Sequence, residues 1–139
     1  MSKIFKILIF FVLISGNLFA NTQLFDEGVN LYNIKKFKQA KFKFEQDIVM
    51  NPKSEMSYLY LSKIFNKLNI KNLEEQNLNT VILLNPNNEE AIFSLAQLKL
   101  KKSDYKESKK LIDKLLIFCK DYCEKSQKLK IEIEKSLKK

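Results

Sequence analysis

The chain has 139 residues and a formal net charge of +9, and 45% of its residues are hydrophobic, which suits one soluble globular domain. All 25 basic residues are lysine and histidine is absent, so the commonest general base and metal ligand are missing. These absences exclude Ser-His-Asp and Cys-His catalysis and most zinc sites, and the lack of arginine disfavours specific reading of nucleic acid. The composition therefore predicts a non-catalytic protein with no metal or other cofactor and no specific nucleic-acid partner.

Residues 1–20 form a separate element, in which Lys3 and Lys6 precede an unbroken apolar run over residues 7–14 and the small residue Ala20 follows. This order of basic, apolar and small residues is typical of a secretory signal peptide. The run is too short to span a bilayer, which requires about 20 apolar residues. We predict cleavage after Ala20, export and a periplasmic location, with membrane contact only through this segment before cleavage. The alternative is an uncleaved segment that anchors the protein.

The chain has two prolines, Pro52 and Pro86, and each follows an asparagine at the end of an apolar stretch. Proline cannot continue a helix, and it disfavours the helical conformation for the residue before it. The spacing of the two prolines, taken as a period, divides the chain into segments 21–54, 55–88 and 89–122. Each segment contains two stretches with apolar residues at helical spacing, which predicts two helices per segment and an all-α fold.

The three segments resemble the tetratricopeptide repeat, a helix–turn–helix unit whose length of about 34 residues equals the spacing of the prolines. The residues that match the family motif in the first repeat are Leu24, Gly28, Leu31, Ala40, Phe44 and Pro52. In the second repeat they are Tyr58, Ser62, Phe65, Leu78, Val81 and Pro86, and in the third Ile92, Leu95, Ala96, Ile112 and Leu115. The small residues Gly28, Ser62 and Ala96 stand where the resemblance implies the closest approach of two helices.

Five residues depart from the motif. Lys120 replaces the third proline, and four polar residues fall where the family has apolar or small side chains: Glu27, Asp47, Glu74 and Lys99. Glu74 is the most awkward, because it occupies a close-packed alanine position. The departures put the packing of the second repeat in question rather than the repeat itself.

The resemblance implies a three-repeat α-solenoid over residues 21–139, with a capping helix over residues 123–139. In that last segment Leu129, Ile133 and Leu137 lie four residues apart on an otherwise charged stretch. A terminal repeat needs its apolar face covered, and one apolar stripe on a charged helix suits this role.

Cys119 and Cys123 lie at the junction of the third repeat and the capping helix. Export permits a disulfide, and a bridge across a helix end is feasible when the Cα atoms lie within about 7 Å. We expect this disulfide, and the alternative is two unpaired thiols. The spacing is not Cys-x-x-Cys, which disfavours a redox-active pair.

Stacked repeats expose a concave face lined by the first helix of each pair. The resemblance implies a partner-binding groove at the family's groove-facing positions, which hold Phe25, Val29, Tyr32, Leu59, Lys63, Asn66, Lys67, Phe93, Gln97 and Leu100. These residues predict an apolar and aromatic floor with a basic flank. Phe25 and Val29 replace the lysine and asparagine of the family's carboxylate clamp, so that clamp is absent. The alternative for each residue is packing against a neighbouring helix.

Two lysine-rich stretches, KKFKQAKFK over residues 35–43 and KKSDYKESKK over residues 101–110, fall on predicted second helices. Charge runs on helices are usually solvated faces, and we interpret them in this way. Adhesion to an anionic lipid or polymer is the alternative.

Together these features predict a non-catalytic adaptor that binds a protein or peptide segment in the concave groove. Small exported proteins of the family commonly serve in bacterial cell-envelope assembly, secretion or division, and the resemblance implies that range. The alternative is a structural subunit of an envelope complex that assembles through the solenoid edge or the capping helix.

Overall fold

The computed structural model describes residues 23–138, and these residues contain seven helices and no strand. The helices are α1 over residues 23–33, α2 (Phe37–Met50), α3 (Glu55–Lys67), α4 (Lys71–Leu84), α5 (Glu89–Lys101), α6 (Tyr105–Phe118) and α7 (Cys123–Leu137). The all-α prediction is confirmed, and each predicted repeat contains one helix pair. The predicted signal peptide over residues 1–20 lies outside the described residues. Over residues 23–138, no helix has the length and apolar character needed to cross a membrane.

The described residues divide into two compact units between Tyr60 and Leu61, a point that lies within α3. In the N-terminal unit, α1 and α2 pack around the fully buried side chains of Ala40 and Phe44. In the C-terminal unit, α5 packs against α4, α6 and α7. The core formed by α5, α6 and α7 consists of Ile92, Ala96, Ile112, Leu115, Leu129 and Ile133.

The turns inside the three helix pairs share one conformation. Lys35, Asn69 and Ser103 have φ angles of 61°, 57° and 61°, and each lies one repeat period after the last. In each turn the residue that follows donates its backbone N–H to a carbonyl five residues earlier, which is the usual closure of a helix by a left-handed residue. These bonds run from Lys36 to Leu31, from Ile70 to Phe65 and from Asp104 to Lys99, each at 2.9 Å. The repetition of the turn establishes the period in the backbone itself.

The turns that follow the second helices also repeat. Asn51, Asn85 and Cys119 each donate a backbone N–H to a carbonyl four residues earlier, at 2.7, 2.8 and 2.9 Å. A proline follows the first two of these residues, and Lys120 follows the third. Proline has no N–H, whereas Lys120 has one that needs an acceptor. The third turn is therefore built differently from the other two.

Glu89, the first residue of α5, provides that acceptor. Its carboxylate accepts backbone N–H bonds from Lys120, Asp121 and Tyr122 at 2.8, 3.0 and 3.0 Å. A disulfide between Cys119 and Cys123, with Cα atoms 5.3 Å apart, closes the same segment between α6 and α7. A carboxylate and a disulfide thus hold the loop at which the other repeats have proline.

The three backbone hydrogen bonds to the Glu89 carboxylate should contribute to the stability of the fold. Burial opposes ionisation of Glu89, but the N–H groups of Tyr122, Lys120 and Asp121 and the charge of Lys120 outweigh it, so its pKa is lowered. A lowered folded-state pKa gives stability that is present above the unfolded-state pKa and is lost as pH falls through the folded-state pKa. We expect Glu89→Gln to melt below the parent near neutral pH and the difference to shrink at about pH 3. Thermal melts at both pH values test this.

Glu124→Gln is the matched control, because Glu124 is a surface residue that is ion-paired with Lys128 only one helical turn away. This control should melt close to the parent at both pH values, since exposed ion pairs contribute little. A Glu89→Gln variant that keeps the same deficit at acidic pH would contradict the role assigned to the carboxylate.

The polar departures from the repeat motif each have a partner. Glu27 pairs with Lys43 at 2.6 Å, and Lys99 pairs with Glu75 at 2.7 Å. Glu74 is 5% exposed and accepts a 2.7 Å bond from the amide of Asn66. The packing of the second repeat is therefore compatible with Glu74, because a buried carboxylate with a donor avoids the main cost of burial.

Asp47 is the most buried of these departures, at 1% exposed. Its Oδ2 atom accepts hydrogen bonds from the hydroxyls of Ser54 and Ser57, both at 2.5 Å. Ser54 lies in the turn after α2, and Ser57 lies in the first turn of α3. The network therefore joins the end of one helix pair to the beginning of the next.

Candidate binding site

In the N-terminal unit, α1 presents three of the predicted groove residues, Phe25, Val29 and Tyr32, and all three are half-buried. The ring centroid of Phe25 lies 5.9 Å from that of Phe44 and 5.8 Å from that of Tyr60. The Tyr32 ring lies 5.2 Å from the Tyr60 ring. These aromatic contacts hold the rings in place while part of each surface stays accessible.

A cavity of about 370 Å³ lies beside Phe25. Its lining combines two apolar side chains with three carboxylates and two smaller polar groups: Phe25, Met56, Asp26, Asp47, Glu55, Asn51 and Ser54. The surroundings of Phe25 are acidic, whereas the predicted basic flank rests on Lys63 and Lys67 of α3. A ligand group that enters here should be apolar or positively charged.

Leu59 is only 2% exposed, so its prediction as a partner-contact residue is wrong. The helix that carries it, α3, is buried around most of its circumference, at Ser57, Leu59, Leu61, Ser62, Ile64 and Phe65. Such a helix leaves only a narrow accessible strip. Repeat spacing alone does not indicate how wide that strip is.

Two polar residues predicted for the groove bond to the protein itself. Lys63 Nζ lies 2.9 Å from Glu90 Oε1, with both side chains about one-third exposed at 29% and 35%. Asn66 donates its amide to Glu74, as described above. Lys67 is exposed on the same helix. The charge of Lys63 is therefore partly compensated, and the amide of Asn66 supports a buried carboxylate.

Phe93 is half-buried, packs against the core of the C-terminal unit, and has its ring centroid 5.3 Å from that of Tyr122. Tyr122 belongs to the loop that Glu89 holds. Truncation of Phe93 would therefore disturb the core and the loop as well as any ligand contact.

The remaining predicted residues, Gln97 and Leu100, meet α7 around a cavity of about 310 Å³. The cavity is lined by Gln97, Leu100, Lys101, Tyr105, Leu129, Glu132 and Ser136. Leu100 and Leu129 provide an apolar floor. An amide, a hydroxyl, a phenol, a lysine and a carboxylate surround it, so the rim contains donors, acceptors and both charges.

The sequence interpretation missed the α7 residues, because it treated α7 only as a cap. The spacing of Leu129, Glu132 and Ser136 at i, i+3 and i+7 places them on one helix face, and this pattern was available in the sequence. Because α7 follows the third repeat as the first helix of a fourth repeat would, it lines this cavity as well as covering the core.

Comparisons with family models and with curated protein sequences give no match for this chain. Solved structures do match over most of its length. The first TPR domain of Spaghetti (RPAP3), bound to the HSP90 peptide SRMEEVD, has a TM-score of 0.77 at 15% identity and covers 86% of this chain and 94% of its own. The chaperone SycD of Yersinia enterocolitica, in complex with a peptide of the translocator YopD, has a TM-score of 0.72 at 17% identity and covers 83% and 90%.

A third neighbour is the TPR2B domain of yeast Sti1 in a complex with pHsp70, with a TM-score of 0.74 at 14% identity, covering 83% of this chain and 96% of that one. The TM-scores of these three neighbours establish a common fold, and at such low sequence identities they establish the fold alone. They agree with the helix pairs and with the three identical turns that recur once per repeat. The chain has the fold of the tetratricopeptide-repeat family.

Proposed function

We propose that this protein is a non-catalytic adaptor that binds a peptide or protein segment on the first helix of its third repeat, α5, and on α7. The observation that carries the proposal is the cavity between α5 and α7. Two residues placed in a groove by repeat position alone, Gln97 and Leu100, line that cavity together with Leu129 of α7. An apolar floor with a few polar groups above it is the usual composition of a ligand site.

The chemistry of the cavity indicates what kind of segment would bind. An aliphatic side chain fits over Leu100 and Leu129, while Gln97 can donate to and accept from a peptide backbone. Lys101 and Glu132 stand on the same rim, so the site favours a segment with both charges over a purely acidic one. The likeness to domains solved with an HSP90 peptide, a YopD peptide and pHsp70 supports a peptide ligand.

We further propose that the protein acts in the bacterial cell envelope, in assembly, secretion or division. The signal-like order of residues 1–20 and the lysine- and asparagine-rich composition support this location. N-terminal sequencing of protein recovered from the periplasmic fraction tests it, and an intact Met1 would contradict cleavage of the signal.

Site-specific photo-crosslinking tests the binding site. A photoreactive residue in place of Gln97 lies in the cavity between α5 and α7, and one in place of Gln76 lies on α4 in a separate, more polar cavity lined also by Asn72 and Asn79. We expect the Gln97 probe to capture a discrete protein that the Gln76 probe does not capture. Addition of Leu100→Ala to the Gln97 probe should weaken the capture by about tenfold, because one aliphatic contact with the ligand is lost at a half-buried residue.

Both probes must first give the parent's helical circular dichroism spectrum. Capture that is equal at the two sites, or stronger at Gln76, would contradict the groove. Such a result would favour the structural-subunit alternative, in which the protein assembles through its outer faces.

A further inference from the structure

One exposed aliphatic residue recurs on the second helix of every repeat. Val49, Leu83 and Ile117 occupy the same repeat position in the last turns of α2, α4 and α6. They are 77%, 80% and 84% exposed, so each presents nearly its whole side chain to solvent. None of them contributes to a core, so packing does not explain why this position is aliphatic three times.

On α6 this residue lies on a lysine face. Lys106, Lys110 and Lys114 precede Ile117 by eleven, seven and three residues, which places all four side chains on one side of the helix. All four are exposed, whereas Ser108, Ile112 and Leu115 on the opposite side are fully buried. Ile117 therefore protrudes among three exposed lysines, and the two carboxylates at the edges of this face, Glu107 and Asp113, are partly buried and already form ion pairs.

The charges of this face are mostly uncompensated. Lys110 lies 3.5 Å from Glu107 and is 76% exposed. Within residues 23–138, neither Lys106 nor Lys114 forms an ion pair. Lys109, which lies off this face, is paired with Asp113 at 2.5 Å. A row of three lysines with an aliphatic tip thus faces solvent, and it complements an anionic surface.

A second copy of the chain and a different protein partner would both fit this face poorly. A second copy of the chain would place lysines against lysines, and like charges repel. A protein partner would be expected to meet aromatic residues or arginine at the centre of the contact, because lysine is depleted there. An anionic bilayer fits both features, since its fluid interface accommodates a single protruding aliphatic side chain and lysine stems extend to headgroups.

We propose that the outer face of α6 docks on the surface of an anionic lipid bilayer. In this arrangement Ile117 enters the headgroup boundary while Lys106, Lys110 and Lys114 lie among the phosphates. The contact is peripheral and does not depend on the groove proposed above. Adhesion to an anionic lipid was the alternative interpretation of the lysine stretches, and the exposure of Ile117, which is visible only in the folded chain, favours that alternative on α6.

The absence of tryptophan provides a local reporter for the test. Ile117→Trp introduces a single indole at the proposed contact, and Ile131→Trp places one on the exposed face of α7, where Ile131 is 54% exposed. With vesicles of phosphatidylcholine and phosphatidylglycerol, we expect the emission of Ile117→Trp to shift to shorter wavelength. It should not shift with phosphatidylcholine alone, and Ile131→Trp should not shift with either. The reporter is local, so the apolar segment at residues 1–20 does not produce this signal.

Removal of two charges tests the lysine face. Lys110→Gln with Lys114→Gln, in the Ile117→Trp background, should weaken vesicle binding by about thirtyfold at low salt, since each basic residue near the surface adds roughly one kcal/mol. Lys53→Gln with Lys71→Gln is the matched control, because both lysines are exposed and lie off α6. It should bind within about twofold of the parent reporter.

Several outcomes would overturn the proposal. No shift of Ile117→Trp with anionic vesicles excludes the contact. An equal shift of Ile131→Trp, or equal losses in the two lysine pairs, indicates adsorption without a preferred face. A shift produced by soluble polyglutamate but not by vesicles assigns the face to an acidic polymer in place of a lipid surface.

Discussion

Gly28→Leu is expected to unfold the first helix pair. A Cβ atom at Gly28 would lie 2.7, 2.9 and 3.0 Å from the Cε1, Cδ1 and Cζ atoms of Phe44. The Phe44 ring cannot move away easily, because it is fully buried and stacked on the Tyr60 ring at 4.9 Å. Overpacking of a filled core usually costs about 1–3 kcal/mol, and a leucine adds three further carbons to this clash. We expect a loss of at least about 3 kcal/mol in the free energy of unfolding.

Three variants make this test specific. Gly28→Ala should lose about 1–2 kcal/mol despite the higher helix propensity of alanine. Asn30→Ala, at an exposed site on the same helix, should stay within about 0.5 kcal/mol of the parent. Phe44→Leu added to Gly28→Ala should cost less than the sum of the two single changes, because the smaller side chain leaves room for the Cβ atom. Urea unfolding followed by circular dichroism measures these variants together with Phe44→Leu alone, and parent-like stability of Gly28→Leu would refute the close contact.

The second large effect is expected in the Asp47 network. Ser57 is fully buried, and its hydroxyl donates to a carboxylate that is only 1% exposed. Ser57→Ala leaves that carboxylate with one donor fewer, and loss of a hydrogen bond to a charged group costs about 1.5–3 kcal/mol. Ser54→Ala combined with Ser57→Ala removes both of these serine donors, so we expect a loss of about 4 kcal/mol from the double change.

Removal of the carboxylate itself should reverse most of this loss. The second repeat has Val81 at the position that corresponds to Asp47, and Val81 is fully buried. We therefore expect Asp47→Val with both serine substitutions to be more stable than the serine double variant, because an apolar group of similar size needs no donor. Urea midpoints of the two variants decide the matter. A triple variant less stable than the double would contradict the account of this network.

The fold could be predicted from the sequence because the residues that define each repeat lie close together in the chain. Pro52 and Pro86 stop helices through their own backbone chemistry, and Gly28 marks a close contact inside one helix pair. The inner turns were harder to recognise, since Lys35, Asn69 and Ser103 adopt positive φ angles without being glycine. Asparagine is enriched at positive φ, so Asn69 provides a weak signal, whereas lysine and serine provide none at the other two turns.

The binding site was predictable only in part, because it depends on packing between segments distant in sequence. Repeat spacing identified Gln97 and Leu100, but it also selected the buried Leu59. Repeat spacing did not show that the Asn66 amide donates a hydrogen bond to the Glu74 carboxylate. It also did not show that α7 completes the cavity beside Gln97 and Leu100. These contacts form between different helices, whereas a periodic pattern describes only one helix at a time.

We propose that a peptide segment binds in the cavity between α5 and α7. The most direct measurement is an NMR titration of the protein with a peptide from the partner captured by the Gln97 probe. We expect the largest shift changes at the Gln97 side-chain amide and at the amides of Leu100, Leu129 and Glu132, with little change at Gln76 or Ile117 on the outer faces. Shift changes concentrated on the outer faces of α4 and α6, with the cavity residues unmoved, would contradict the account.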